Sequence, residues 1–102
     1  MKGIVFGATR QRADRKLEDI IKKYELMKIP IIARIKKSNQ STASFENGDY
    51  WIAVNANPNA RGYAVNVAYI DEEIPSEVVR IICLPCVKAL PYNAIHYFGQ
   101  EI

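Results

Sequence analysis

Residues 2–27 confine this chain to an α/β fold before anything else is read. Lys2–Phe6 is short, apolar and partly β-branched, which predicts a strand. Gly7-Ala8-Thr9 follows as a corner, and Thr9 is a good N-cap for a helix over Arg10–Met27. Ala13, Leu17, Ile20, Ile21 and Tyr24 recur there at helical spacing, forming a stripe that fits a sheet. Glu18/Lys22 and Asp19/Lys23 stand four apart in the favourable order on the opposite side. A strand that turns through glycine into a long amphipathic helix needs a sheet for that helix to cover, so further strands must follow.

The rest of the chain supplies them. Ile29–Ile35 is a strand candidate with Pro30 at its start, where a missing N–H does least harm. After a polar loop at Lys36–Ser41, Thr42–Phe45 and Tyr50–Val54 flank Asn47-Gly48, a strong hairpin signal. Asn55–Arg61 reads as a second loop and Tyr63–Ile70 as a buried strand. Pro75-Ser76-Glu77 opens a short helix through Cys83, which Pro85 ends, and Tyr92–Phe98 is a last strand. The expectation is a single small α/β domain over residues 1–102, with a mixed sheet and flanking helices.

Composition narrows the class further. With 49% hydrophobic and 25% charged residues the chain is an ordinary globular one. It has no apolar stretch of membrane-spanning length and no signal-peptide core, so no membrane partner and a cytoplasmic location are expected. The net charge of +3 permits an anionic partner without requiring one. Two cysteines are too few for a secreted disulfide framework.

Several motifs together carry a resemblance. Ile4-Val5-Phe6-Gly7-Ala8-Thr9-Arg10 with Ala13 resembles the strand, loop and helix called motif Ia in phage large-terminase and helicase ATPase cores. Glu46-Asn47-Gly48-Asp49-Tyr50-Trp51 resembles the hairpin turn those cores place before the Walker B strand. Ala60-Arg61-Gly62-Tyr63 resembles their arginine-glycine run, and Val65–Ile70 ending in Asp71-Glu72 resembles Walker B itself. Order and spacing agree over residues 3–85. The resemblance implies a degenerate RecA-like or P-loop-like half-core, because no GxxxxGK[ST] phosphate loop occurs anywhere in the chain.

Carried over to this sequence, Asp71 matches the metal-binding carboxylate and Glu72 the water-activating one. A lone carboxylate holds Mg²⁺ weakly, since that ion keeps its waters and needs substrate phosphates. Asp71 and Glu72 would therefore be catalytic, with Mg²⁺ and nucleotide as cofactors, only if another chain supplied the phosphate loop. The favoured expectation is that they end a buried strand and solvate the turn before Pro75.

Other residues invite chemistry of their own. Thr9, Arg10, Arg12 and Arg15 surround a helix N-terminus, where backbone N–H groups and positive charge suit an anion or phosphate. Asp14, Glu18 and Asp19 dilute that charge, so a solvated helix face competes with anion contact. Arg61, in a loop with Asn55, Asn57 and Asn59, could grip phosphate bidentately. Tyr50, Trp51, Tyr63 and Tyr69 lie on strands, where aromatics usually pack a core rather than stack bases. Cys83-Leu84-Pro85-Cys86 is a CxxC at the end of a helix rather than its start, so buried cysteines are expected over redox chemistry. His96 is the single histidine, too little with one CxxC for tetrahedral zinc.

The expected function is binding without catalysis. The chain reads as a small accessory protein, phage or mobile-element encoded and then resident in the host cytoplasm. Its partner would be a protein of replication, packaging or host-defence machinery, or a nucleotide or nucleic-acid phosphate. Open sheet edges leave room for a homodimer. The alternative is a subunit that completes a nucleotide-hydrolysis site in trans through Asp71 and Glu72.

Overall fold

The run predicted as the first strand, β1 (Lys2–Gly7), lies inside a six-stranded mixed sheet in the computed structural model, which describes residues 1–60, 62–88 and 94–99. α1 (Arg10–Leu26) follows it, then β2 (Ile31–Lys36), β3 (Ser41–Phe45) and β4 (Tyr50–Asn55). β5 (Val67–Asp71), α2 (Ser76–Val78) and β6 (Ile95–Phe98) complete the order. Across the sheet the strands run β2-β3-β4-β1-β5-β6. β4, β1, β5 and β6 are mutually parallel, while β2, β3 and β4 form an antiparallel meander.

Parallel strands covered on both faces read as continuous apolar runs, and β1 does so because it has a core on each side. Under α1, Leu17, Ile20 and Tyr24 pack with Val5, Phe45 and Trp51. On the opposite face Phe6, Ile52 and Ile70 meet Val79, Ile82 and Cys83. Burying a side chain such as Phe6 or Ile4 contributes about 1.5–3 kcal/mol. A polar relay stiffens the first core, with Trp51 Nε1–H donating to Tyr24 Oη at 3.0 Å and Tyr24 donating to Asp49 at 2.7 Å.

Several boundaries differ from the sequence expectation for identifiable reasons. β2 starts at Ile31 rather than Ile29, because the Ile29 N–H closes the end of α1 on the Tyr24 carbonyl. The strand expected from Tyr63 begins only at Val67. Asn66 instead brackets Lys2, donating its N–H to the Lys2 carbonyl and accepting the Lys2 N–H on its side chain. After the short α2 the helix widens to a π turn over Val79–Cys83, then tightens to a 3₁₀ turn over Leu84–Cys86 that contains Pro85. Proline therefore sits within the last turn instead of stopping the helix before it. Tyr92 and Asn93, expected to open the last strand, lie outside the described residues. Glu18 pairs with Arg34 of β2 as well as standing four before Lys22. Among the described residues no helix is long and apolar enough to cross a membrane.

α1 ends in a Schellman arrangement. Ile29 N–H bonds the Tyr24 carbonyl and Lys28 N–H bonds that of Glu25, both at 3.0 Å. The residue between the last helical turn and Ile29 must be left-handed, and it is Lys28, at φ 60°. A side chain there costs about 1–2 kcal/mol, partly offset by the greater freedom glycine has when unfolded. Lys28→Gly is therefore expected to raise stability by roughly 0.5–1 kcal/mol, read as a higher urea midpoint at unchanged m-value.

Candidate functional site

Where neighbouring parallel strands send their connections to opposite faces of a sheet, a crevice opens at their C-terminal ends. Here β1 leads to α1 on one face and β5 leads to α2 on the other. Asp71, the last residue of β5, fills that crevice and is fully buried. Its Oδ2 accepts the Ala8 N–H at 2.9 Å and Arg12 Nε–H at 2.5 Å. Its Oδ1 accepts Arg12 Nη2–H at 2.9 Å and the Glu73 N–H at 3.0 Å. Arg12 Nη1 also reaches Glu73 at 3.3 Å.

The helix N-terminus thus already has an anion. The first turn of α1 contains no acidic residue. Asp71 supplies the negative charge that this end of the helix favours, from a neighbouring strand. Thr9 is the N-cap, as expected, and accepts the Arg12 N–H at 3.2 Å. Burial raises the pKa of Asp71. The Arg12 hydrogen bonds, the N–H groups of Ala8 and Glu73 and the guanidinium charge outweigh it, holding the carboxyl below its ordinary 3.8.

Two glycines allow this close assembly. A Cβ on Gly7 would lie 2.5 Å from the Ala13 nitrogen, so only glycine lets α1 approach β1 here. Gly99 has φ +118°, and a Cβ on it would lie 2.7 Å from Arg12 Nη2 and 2.8 Å from Asp71 Oδ1. Gly99, just after β6, therefore lies directly over the ion pair, and the Glu72 N–H ties the strand end there by donating to the Phe98 carbonyl at 2.7 Å.

The remaining residues singled out in the sequence are dispersed. Arg10 pins the β2–β3 turn to the helix, donating to the Lys37 and Ser38 carbonyls, Ser41 Oγ and Asp14. Arg15 is exposed and borders a hollow between α1 and the end of β6, with Arg12, Lys16, Asp19 and Phe98. Lys16 Nζ lies 5.1 Å from the Tyr69 ring centre and 5.6 Å from that of Phe98. Glu72 is exposed beside buried Asp71, so the two carboxylates occupy different environments. Arg61 lies outside the described residues. Asn55 and Asn57 border a separate polar cleft next to Arg10 and Tyr63.

Trp51 is buried, while Tyr50, Tyr63 and Tyr69 are half-buried against the cores. Cys83 and Cys86 are buried free thiols, and burial, with Cys86 nearby, pushes Cys83 up to about 12. His96 is exposed on β6 and stacks on Tyr69 at 4.9 Å. Among the described residues no group of three or more His, Cys, Asp or Glu side chains is placed to hold a metal ion.

Two features of the site went unread in the sequence. The Arg12–Asp71 pair spans 59 positions, although its signal was present: a basic residue in the first turn after one strand, and an acid closing another. Gly99 gave no signal, since its role comes from tertiary approach. In comparisons with known proteins the chain matches no family model, no curated protein and no solved structure.

Removing one partner of a buried ion pair leaves the other uncompensated. Arg12→Met is expected to cost about 3–5 kcal/mol of stability, measured by urea unfolding. The pH dependence follows from the lowered pKa of Asp71. Its contribution is fully present above the unfolded value of 3.8 and is lost as pH falls through the lower folded value, because the unfolded chain there binds more protons. Asp71→Asn should flatten the acid limb of the stability–pH curve. Asp49 should carry part of the remaining slope: burial raises its pKa, but hydrogen bonds from Tyr24 and its neighbours hold it low. Both cysteines should resist iodoacetamide at neutral pH in the folded protein and react once it is unfolded in urea.

Proposed function

We propose that this protein is a non-catalytic binding module that holds a protein partner by adding a strand of that partner to its sheet at β2. The observation that carries this reading is β2 itself. All six of its residues are exposed, with Ile31 at 41%, Ile32 at 66% and Ile35 at 49%. Leu26 and Met27, at the end of α1, add more exposed apolar surface just before it. One exposed isoleucine is ordinary. Three on an edge strand, whose outer backbone groups have no neighbouring strand among the described residues, make a template for pairing.

The non-catalytic part is supported by the mutual neutralisation of Asp71 and Arg12. Completing a nucleotide site in trans, with Mg²⁺ on Asp71, would require that carboxylate to exchange a guanidinium and two backbone N–H groups for the ion. The parallel set β1, β5 and β6, with an acidic pair closing β5, is compatible with a RecA-like half-core. That resemblance is also what suggests a phage or mobile-element setting and a partner in replication, packaging or host defence. A second reading, contact with nucleic-acid phosphate, is favoured by Arg15 and Lys16 at one hollow.

Panning a random peptide library against the wild type and against an Ile32→Glu/Ile35→Glu variant tests the main reading. Peptides enriched on the wild type should bind the variant at least about tenfold more weakly. Absence of any peptide whose binding depends on this edge would overturn it. Mobility shifts with single-stranded DNA address the second reading. Salt-sensitive binding abolished by Arg15→Glu/Lys16→Glu would replace strand addition by phosphate contact.

A further inference from the structure

The two faces of β2 differ chemically, and the difference specifies what can lie beside it. Arg34 pairs across the ladder with Ala43, which belongs to the core under α1, and Lys36 pairs with Ser41. On that face Arg34 meets Glu18 and Lys36 stands 3.7 Å from Asp14, both on α1. Ala33 and Ile35 pair with Ser44 and Thr42 and so share the opposite face. Over Ala33–Lys36 the strand therefore presents Arg34 and Lys36 on one side, which Ile32 shares by alternation, and the wholly aliphatic pair Ala33 and Ile35 on the other.

The backbone is open at the same positions. Lys37 N–H bonds the Gln40 carbonyl at 2.8 Å, so the alternation of an antiparallel ladder turns Ile35 and Ala33 toward β3. The backbone groups of Arg34 and Lys36 then face outward, away from the sheet. The side chains of these two residues are 51% and 78% exposed.

The charge balance selects among occupants. Lys28, Arg34, Lys36 and Lys37 lie along the strand and its ends, and Arg10 holds the adjoining turn. Against them stand Asp14, which Arg10 and Lys36 share, and Glu18, with Glu46 at the far end beside Pro30. A second copy paired through the same edge in antiparallel fashion would bring Arg34 and Lys36 against their own counterparts. Basic residues and a β-bulge are devices by which edge strands resist self-pairing, and β2 has both, its register shifting between Ile31 and Ala33. The same cations attract an acidic strand.

We infer that the partner segment accepted by β2 is an extended strand alternating acidic and apolar side chains, its carboxylates toward Arg34 and Lys36 and its apolar residues continuing the Ala33–Ile35 face. This rests on the strand-addition reading and names the chemistry of the partner.

The test uses the whole protein and three synthetic peptides of one length: alternating glutamate and valine, alternating lysine and valine, and the glutamate peptide N-methylated at every second residue. Binding is followed by amide chemical shifts and titration calorimetry at low and high salt. The glutamate peptide should perturb residues 31–37 and bind more tightly than the lysine peptide, by a margin that shrinks as salt is added. N-methylation, which removes donors, should abolish binding. Arg34→Gln/Lys36→Gln should weaken the glutamate peptide roughly 3- to 30-fold, the worth of two exposed ion pairs.

Equal or tighter binding of the lysine peptide overturns the inference, as does undiminished binding of the N-methylated one. So does sedimentation showing a dimer that the Ile32→Glu/Ile35→Glu variant dissociates, which would make a second copy the occupant. If library peptides bind β2 without acidic alternation, strand addition stands and this inference alone falls. If nothing binds the edge, both fall.

Discussion

The buried ion pair between Arg12 and Asp71 is the constraint on which the parallel half of this fold depends. A carboxylate without solvent access is tolerable only when its charge is met and its lone pairs are filled. Arg12 does the first, and the N–H groups of Ala8 and Glu73 help with the second. Those donors come from the β1–α1 corner, from α1 and from the turn after β5. The pair therefore fixes how the helix sits on the sheet and how the chain leaves β5. Gly7 and Gly99 are consequences of it, since each lets backbone approach more closely than a side chain permits.

The same interaction divides the molecule functionally. At the C-terminal ends of the parallel strands, where ligands of α/β proteins commonly sit, the polar groups are engaged with one another. At the opposite margin of the sheet the situation reverses. The edge strand β2 leaves aliphatic side chains and its outward backbone groups in water. Satisfied chemistry at one margin and open surface at the other are what the proposed binding role rests on.

Much of this architecture was legible in the sequence. The helical stripe from Ala13 to Tyr24, the Asn47-Gly48 turn and the apolar run into Asp71 each obey a local rule, and each element formed. What was illegible depended on distant residues. Asn66 looks like part of a strand until Lys2 arrives beside it, and Ile29 looks like strand until it caps the helix. Arg12 reads as an anion-binding residue because a single residue cannot disclose that its anion is Asp71. The exposure of Ile31, Ile32 and Ile35 was hidden for a related reason. Their pattern is that of a buried strand, and only the strand order shows that nothing described lies beyond them.

The sheet's connectivity has a consequence for how the chain acquires its shape. β1 is surrounded by strands that come much later, with Lys2 opposite Tyr50 and Gly3 opposite Val67. The meander β2–β3–β4 closes through short turns and can assemble from local contacts. Ile4, Val5 and Phe6 must wait for β5 before both flanks are paired, and closing that loop is entropically slow. During synthesis β1 thus emerges before either of the strands that flank it and is enclosed only when β5 arrives. For that interval α1, docked on one face, is its main shelter from mispairing with other nascent chains.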